Sequence, residues 1–237
     1  MTDSLSMLAT CTAVSGIVSV VDGNVAGWSD VLSALDFHGW ALRLRCETWF
    51  RSGHLGVVAD PLPLTPALSR LAAMACMPHQ CAPESVDWLR RAVASELAID
   101  AEYLQESVFE PFVLGCIDRA QGSGLVVSGF KGVYSDVLQA WDDDARLAKA
   151  LLNVCDYHCS NISDNRRGRY AEFTKPPFDL LPCELMLVNR LRKDTGRAPL
   201  EFSHPLTDTL GPIPGDASPQ SHPVLGELRA AWERFWS

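Results

Sequence analysis

The densest group of chemically capable side chains is Cys155-Asp156-Tyr157-His158-Cys159. On a helix, positions 155, 158 and 159 share one face, so two thiols and an imidazole could hold zinc. Cys76-x-x-His79-x-Cys81 could supply a second half-site. Structural zinc sites are usually built from two clean pairs such as Cys-x-x-Cys, and neither segment has one. Cys155 also continues the apolar stripe of Leu147 and Leu151, where cysteine behaves as a small hydrophobe. The favoured reading is core cysteines beside a buried histidine, with no metal and no cofactor. A catalytic thiol would need a lowered pKa and an orienting third group, and the sequence identifies neither. A metal-binding or thiol-dependent helical enzyme using Cys155, His158 and Cys159 therefore stands as the alternative function.

Other segments carry weaker signals. Gln121 to Gly129 is glycine-rich, but it matches neither phosphate-binding glycine pattern and follows no strong strand. It reads as a flexible loop. Asp142-Asp143-Asp144 suits the positive end of a helix dipole, and it also offers an exposed acidic patch to a basic partner. Arg166, Arg167 and Arg169 read as a solvated loop. Arg190, Arg192, Lys193 and Arg197 suit the end of a helix. No H-E-x-x-H, G-x-S-x-G or kinase signature is present, and the chain is read as a non-enzyme.

The elements that must position these residues read as helices. Of 237 residues, 47% are hydrophobic and 21% charged, which excludes a wholly disordered or collagen-like chain. Apolar periodicity predicts helices over 29–50, 66–77, 84–97, 133–141, 145–159 and 223–236. Another starts at Asp100, breaks at Pro111 and resumes through Arg119. One more occupies 177–193, starting near Asp179 and stopping at Gly196. Residues 198–223 read as irregular, and Leu125-Val126-Val127 as a lone strand or buried turn. Strict alternation of the strand type is almost absent. The expectation is all-α, one domain over 1–237, with about eight to ten helices whose pairs could stack like a solenoid.

Twenty Lys and Arg against 29 Asp and Glu give a net charge of −9. That sign repels nucleic-acid phosphates and favours a basic protein partner. The eight cysteines are scattered through apolar runs and read as free thiols of a reducing compartment. Leu5 to Val21 is apolar, but the first basic residue is Arg43, so the positive segment of a secretory signal is missing. No run reaches the ~18 uninterrupted apolar residues of a membrane span. The expected location is the cytoplasm, with no membrane partner.

Pro177-Phe-Asp-Leu-Leu-Pro-Cys-Glu-Leu-Met-Leu-Val-Asn-Arg-Leu-Arg-Lys-Asp-Thr-Gly196 is followed by an extended Pro199 to Leu206. A proline-entered helix, a glycine stop and a polar-Pro-Leu turn resemble the C-terminal part of all-helical immunity proteins of bacterial polymorphic-toxin and type VI secretion systems. The Trp28 to Phe50 segment, with its Trp/Ala-rich face, fits the same pattern. The resemblance implies an immunity protein that binds and neutralises a cognate toxin in bacterial competition. It carries no toxin-contact residue across. The acidic patch Asp142, Asp143 and Asp144, with Glu172, is the expected contact surface for a basic toxin.

Overall fold

The structure is a computed structural model, and it describes residues 2–51, 108–121, 132–162, 172–174 and 176–236. Among the described residues the protein is all-α. The eight helices among these residues are α1 (Thr2–Val21), α2 (Gly27–Arg51), α3 (Phe109–Gln121), α4 (Val133–Gln139), α5 (Asp144–Ser160), α6 (Cys183–Asp194), α7 (Pro205–Leu210) and α8 (Pro223–Trp236). The helices expected over 66–77 and 84–97, the first part of the helix expected from Asp100, residues 122–131, Cys76, His79, Cys81 and Arg166–Arg169 lie outside the described residues. The break expected at Pro111 is absent, because α3 runs through it within its first turn, where a missing N–H costs no helical bond.

α1 and α2 form a tight antiparallel hairpin. The α1 segment, read only as an apolar stretch, is a 20-residue helix. It is long and apolar enough by length and composition to cross a membrane. Leu5, Ala9, Ala13 and Ile17, four residues apart, are buried on one face. The crossing depends on two glycines. A Cβ on Gly16 would stand 2.8 Å from the Gly27 carbonyl oxygen and the Val31 nitrogen, and one on Gly27 would stand 2.5 Å from the Gly16 carbonyl. Only glycine lets these two backbones approach so closely.

The apolar spacing of Leu35, Gly39 and Leu42 predicts an amphipathic α2 with one inward face. Instead every residue from Val31 to His38 is buried, polar Ser33, Asp36 and His38 included. A helix covered on all sides is a central one. Its N-terminal half joins Phe112, Val113, Leu147, Leu151 and Leu187 in the main core. Its later part packs with Leu5, Ala9 and Leu225 in a second cluster. There α8 docks through Trp232, whose ring meets Trp40 edge-on at 5.9 Å. The Arg43 guanidinium lies 4.2 Å from the Trp232 centroid. The Gln220 backbone N–H donates to Ser33 Oγ at 2.8 Å, strapping the 211–222 segment along α2.

α5 follows its expected pattern. Asp143 is the N-cap, with its carboxylate accepting from the Arg146 N–H at 3.1 Å. Leu147, Ala150, Leu151, Val154, Cys155 and His158 form the buried stripe. α6 begins at Cys183, four residues later than the expected Asp179. Residues 176–180 turn instead, and Pro182 holds the N-cap position. The segment read as irregular contains α7, because His204 caps it by accepting from the Leu206 N–H, with Pro205 at the first helical position.

Candidate functional site

The last turn of α5 meets the first turn of α6 in a fully buried polar cluster. His158 and Glu184 are 0% and 1% exposed. His158 Nδ1 stands 3.1 Å from Glu184 Oε1 and 3.0 Å from Oε2. The Tyr134 hydroxyl, from α4, donates to Oε1 at 3.1 Å. The Cys183 thiol donates to Oε2 at 3.4 Å. One carboxylate thus collects an imidazole, a phenol and a thiol.

Aromatic rings hold this group in place. Phe173 lies flat on His158, with centroids 3.9 Å apart and planes 11° from parallel. Its backbone N–H donates to the carbonyl of Asn161, the residue that caps α5, which fixes Phe173 over the imidazole. Phe112 stacks on Tyr134 at 4.3 Å. Tyr157 meets Tyr134 edge-on at 5.5 Å. His158 Nε2 and Asp179 Oδ1 are both buried, with the backbone of Phe178 and Asp179 against the imidazole and that of Asp179 and Leu180 against the carboxyl.

Electrostatics favours an ion pair here. Burial alone would push the His158 pKa down, but the Glu184 charge and hydrogen bond outweigh it and raise the value from its ordinary position. Burial likewise opposes the Glu184 charge, and His158 outweighs it, lowering the carboxyl pKa. Burial, with Glu184 adding to it, pushes the Tyr134 phenol well up, so it stays a donor.

The Cys155, His158 and Cys159 trio does not assemble as a unit. Cys155 and His158 are buried, whereas Cys159 is exposed. His158 is bonded to Glu184 and lies beside Cys183. The Cys155 thiol is pushed up to about 12 by burial and then by Glu184. Burial and then Asp156 raise the Cys159 thiol. Both shifts run opposite to those of an activated thiolate.

The acidic patch is exposed but internally met. Asp142 pairs with Arg197 at 2.6 Å and Arg119 at 2.9 Å, and these bonds, that to Arg197 foremost, lower its pKa. Asp144 pairs with Arg192, a side chain only 1% exposed, at 3.0 Å. Asp143 is used as the cap. Glu172 accepts from the Tyr157 hydroxyl at 3.0 Å. The four expected contact residues are therefore not one surface of free charge, although Asp142 and Asp144 remain 65% exposed.

Glu184, Cys183, Tyr134 and Phe173 were not singled out from the sequence. For Glu184 a signal existed: a glutamate on the face shared by Cys183, Leu187 and Val188 is a charge on an inward stripe. Phe173 carried none, because it lies inside the polar stretch Asn161 to Lys175, which reads as a surface loop although Asn161 and Phe173 are buried.

A second feature lies on the outer face of α1. Met7, Cys11, Val14, Val18 and Val21 are all exposed, Met7 by 69% and Val18 by 54%. Their spacing of four, three, four and three residues is that of a coiled-coil seam. Beside Met7 and Cys11 a pocket of about 390 Å³ opens towards His38, Thr174 and Pro176. No protein-family model, curated protein or solved structure matches this chain.

Proposed function

We propose that this chain is a cytoplasmic, non-enzymatic immunity protein that binds a basic cognate toxin through the outer face of α1. The observation that carries the reading is the exposed apolar seam Met7, Cys11, Val14, Val18 and Val21. Exposed apolar residues gathered into a contiguous patch mark interaction surfaces, whereas scattered ones do not. Heptad spacing suits a partner helix laid along α1, and the adjoining pocket could take one anchoring side chain. The opposite face of α1 is buried against α2, so the seam is available without unfolding the hairpin.

Charge supports the basic partner. A net −9 steers a cationic protein towards this chain, and α1 itself carries no Lys or Arg. The exposed Asp142 and Asp144 add to that field, while their arginine pairs limit what they give on contact. The raised thiols of Cys155 and Cys159 favour a binding role over a thiol-dependent enzyme. The sequence resemblance supplies the class of partner.

The test is co-expression of the full chain with the product of the neighbouring gene. A stoichiometric complex on gel filtration and rescue of growth support the reading. A toxic product that neither binds nor is neutralised overturns it.

A further inference from the structure

We infer that His158, Cys183 and Glu184 form a site for one divalent transition-metal ion of the zinc class, independent of the toxin-binding reading. One donor atom from each residue lies within 4.8 Å of the others. Zinc sits about 2.0–2.1 Å from imidazole nitrogen, about 2.0–2.2 Å from carboxylate oxygen and about 2.3 Å from sulfur. A tetrahedron with those bonds has nitrogen–oxygen edges of about 3.3 Å and sulfur–oxygen edges of about 3.5 Å. The cluster shows 3.0 Å from His158 Nδ1 to Glu184 Oε2 and 3.4 Å from Cys183 Sγ to the same oxygen. On these two edges the donors need to spread by only a few tenths of an ångström, and the His158–Cys183 edge lies within 4.8 Å.

Charge balance permits the exchange. Without metal, a protonated imidazole against the glutamate carboxylate sums to zero. With metal, the dication is balanced by the Cys183 thiolate and the Glu184 carboxylate around a neutral imidazole, again summing to zero. Neither state leaves uncompensated charge in the buried core. Loading forms bonds from the ion to Nδ1, Sγ and Oε2. It releases two protons to solvent, one from His158 Nδ1 and one from the Cys183 thiol, with no change in oxidation state. The mixed sulfur, nitrogen and oxygen set selects zinc or cobalt over magnesium or calcium.

The surroundings are those of a supported site. Tyr134 holds the other oxygen, Oε1, which leaves Oε2 turned to the shared donor space. Phe173 fixes the plane of the imidazole. A bound ion would join the end of α5 to the start of α6.

The test uses the untagged full chain purified from zinc-supplemented culture, with metal content measured by mass spectrometry. A parallel sample is unfolded in denaturant and refolded with cobalt(II), and its absorption is recorded. About one zinc per chain and a thiolate-to-cobalt charge-transfer band are expected. Cys183→Ser should lose the band and lower the zinc content at least tenfold while far-ultraviolet circular dichroism stays helical. Cys183→Ala replaces it if the serine variant does not fold. Cys159→Ser, at an exposed thiol, should keep both signals. Zinc and cobalt at background in the native chain, or a band that survives loss of Cys183, overturns the assignment.

Discussion

His158 Nδ1 stands 3.0 Å from Glu184 Oε2, and the two side chains are 0% and 1% exposed. Two helices separated by the 163–171 stretch and a turn are thus joined by a charge-assisted contact between two fully buried side chains. In the metal-free chain this pair is stable only as a pair, because each charge is what makes the other tolerable in the core.

Removing one member should therefore cost more than removing both. In a chelating buffer, Glu184→Leu is expected to lower stability by about 3–5 kcal/mol, since a buried imidazole loses its counter-charge. His158→Leu should cost a similar amount. The double variant should recover much of the loss, because two apolar side chains fill the space without stranding a charge. Urea unfolding of the four proteins gives the coupling energy. Additive losses would mean that the two groups do not interact.

The same pair sets a pH window, again in chelator. The folded-state pKa of His158 is raised. Its contribution is fully present below the unfolded value, about 6.5, and is lost as pH rises through the folded value. The folded-state pKa of Glu184 is lowered. Its contribution is present above the unfolded value, about 4.3, and is lost as pH falls through the folded value. The pair stabilises most between those two unfolded values and fades on both sides. The difference in melting temperature between the wild type and the double leucine variant should peak there, and a flat difference would remove the ion-pair assignment.

Helical class was legible in the sequence because the period of the apolar residues reports local geometry directly. The α5 stripe from Leu147 to His158 and its Asp143 cap show this most clearly. α1 escaped because its outer face is apolar too: Met7, Val14 and Val18 blur the contrast on which a periodic reading depends. The arrangement of the buried cluster escaped for another reason. His158 could be read as buried, but its partner lies 26 residues on, and no local pattern states which inward residues of two helices will meet. The Asp142–Asp144 patch was correctly seen as a helix start. Its neutralisation by Arg119, Arg192 and Arg197 is a product of tertiary structure.

Gly16 and Gly226 should respond oppositely to alanine. Both lie in helices, where alanine gains up to about 1 kcal/mol in propensity. At Gly226 an added Cβ meets nothing within 4 Å, so Gly226→Ala is expected to stabilise the chain by about 0.5–1 kcal/mol. At Gly16 the new atom would meet backbone at 2.8 Å, and backbone cannot swing aside as a side chain can. Overpacking of this kind costs about 1–3 kcal/mol, so strain outweighs propensity and Gly16→Ala should melt lower. Paired thermal melts of the two variants decide the matter, and equal gains would show that α1 and α2 are not in close contact.

The α1 seam predicts a separation of stability from binding. Val14 and Val18 are 44% and 54% exposed, so Val14→Gln with Val18→Gln removes little from the core and should leave the melting temperature nearly unchanged. If a partner helix covers both side chains, each loses part of a burial worth about 1.5–3 kcal/mol. A combined loss near 3 kcal/mol would weaken the toxin complex by about a hundredfold. Asp142→Asn should behave differently. Its charge is already shared with Arg119 and Arg197, so it should slow association slightly at low salt and leave the dissociation rate alone. Surface plasmon resonance on the co-purified toxin separates the two cases. A glutamine pair that binds like wild type, beside an Asp142 variant that dissociates quickly, would move the contact surface from α1 to the start of α5.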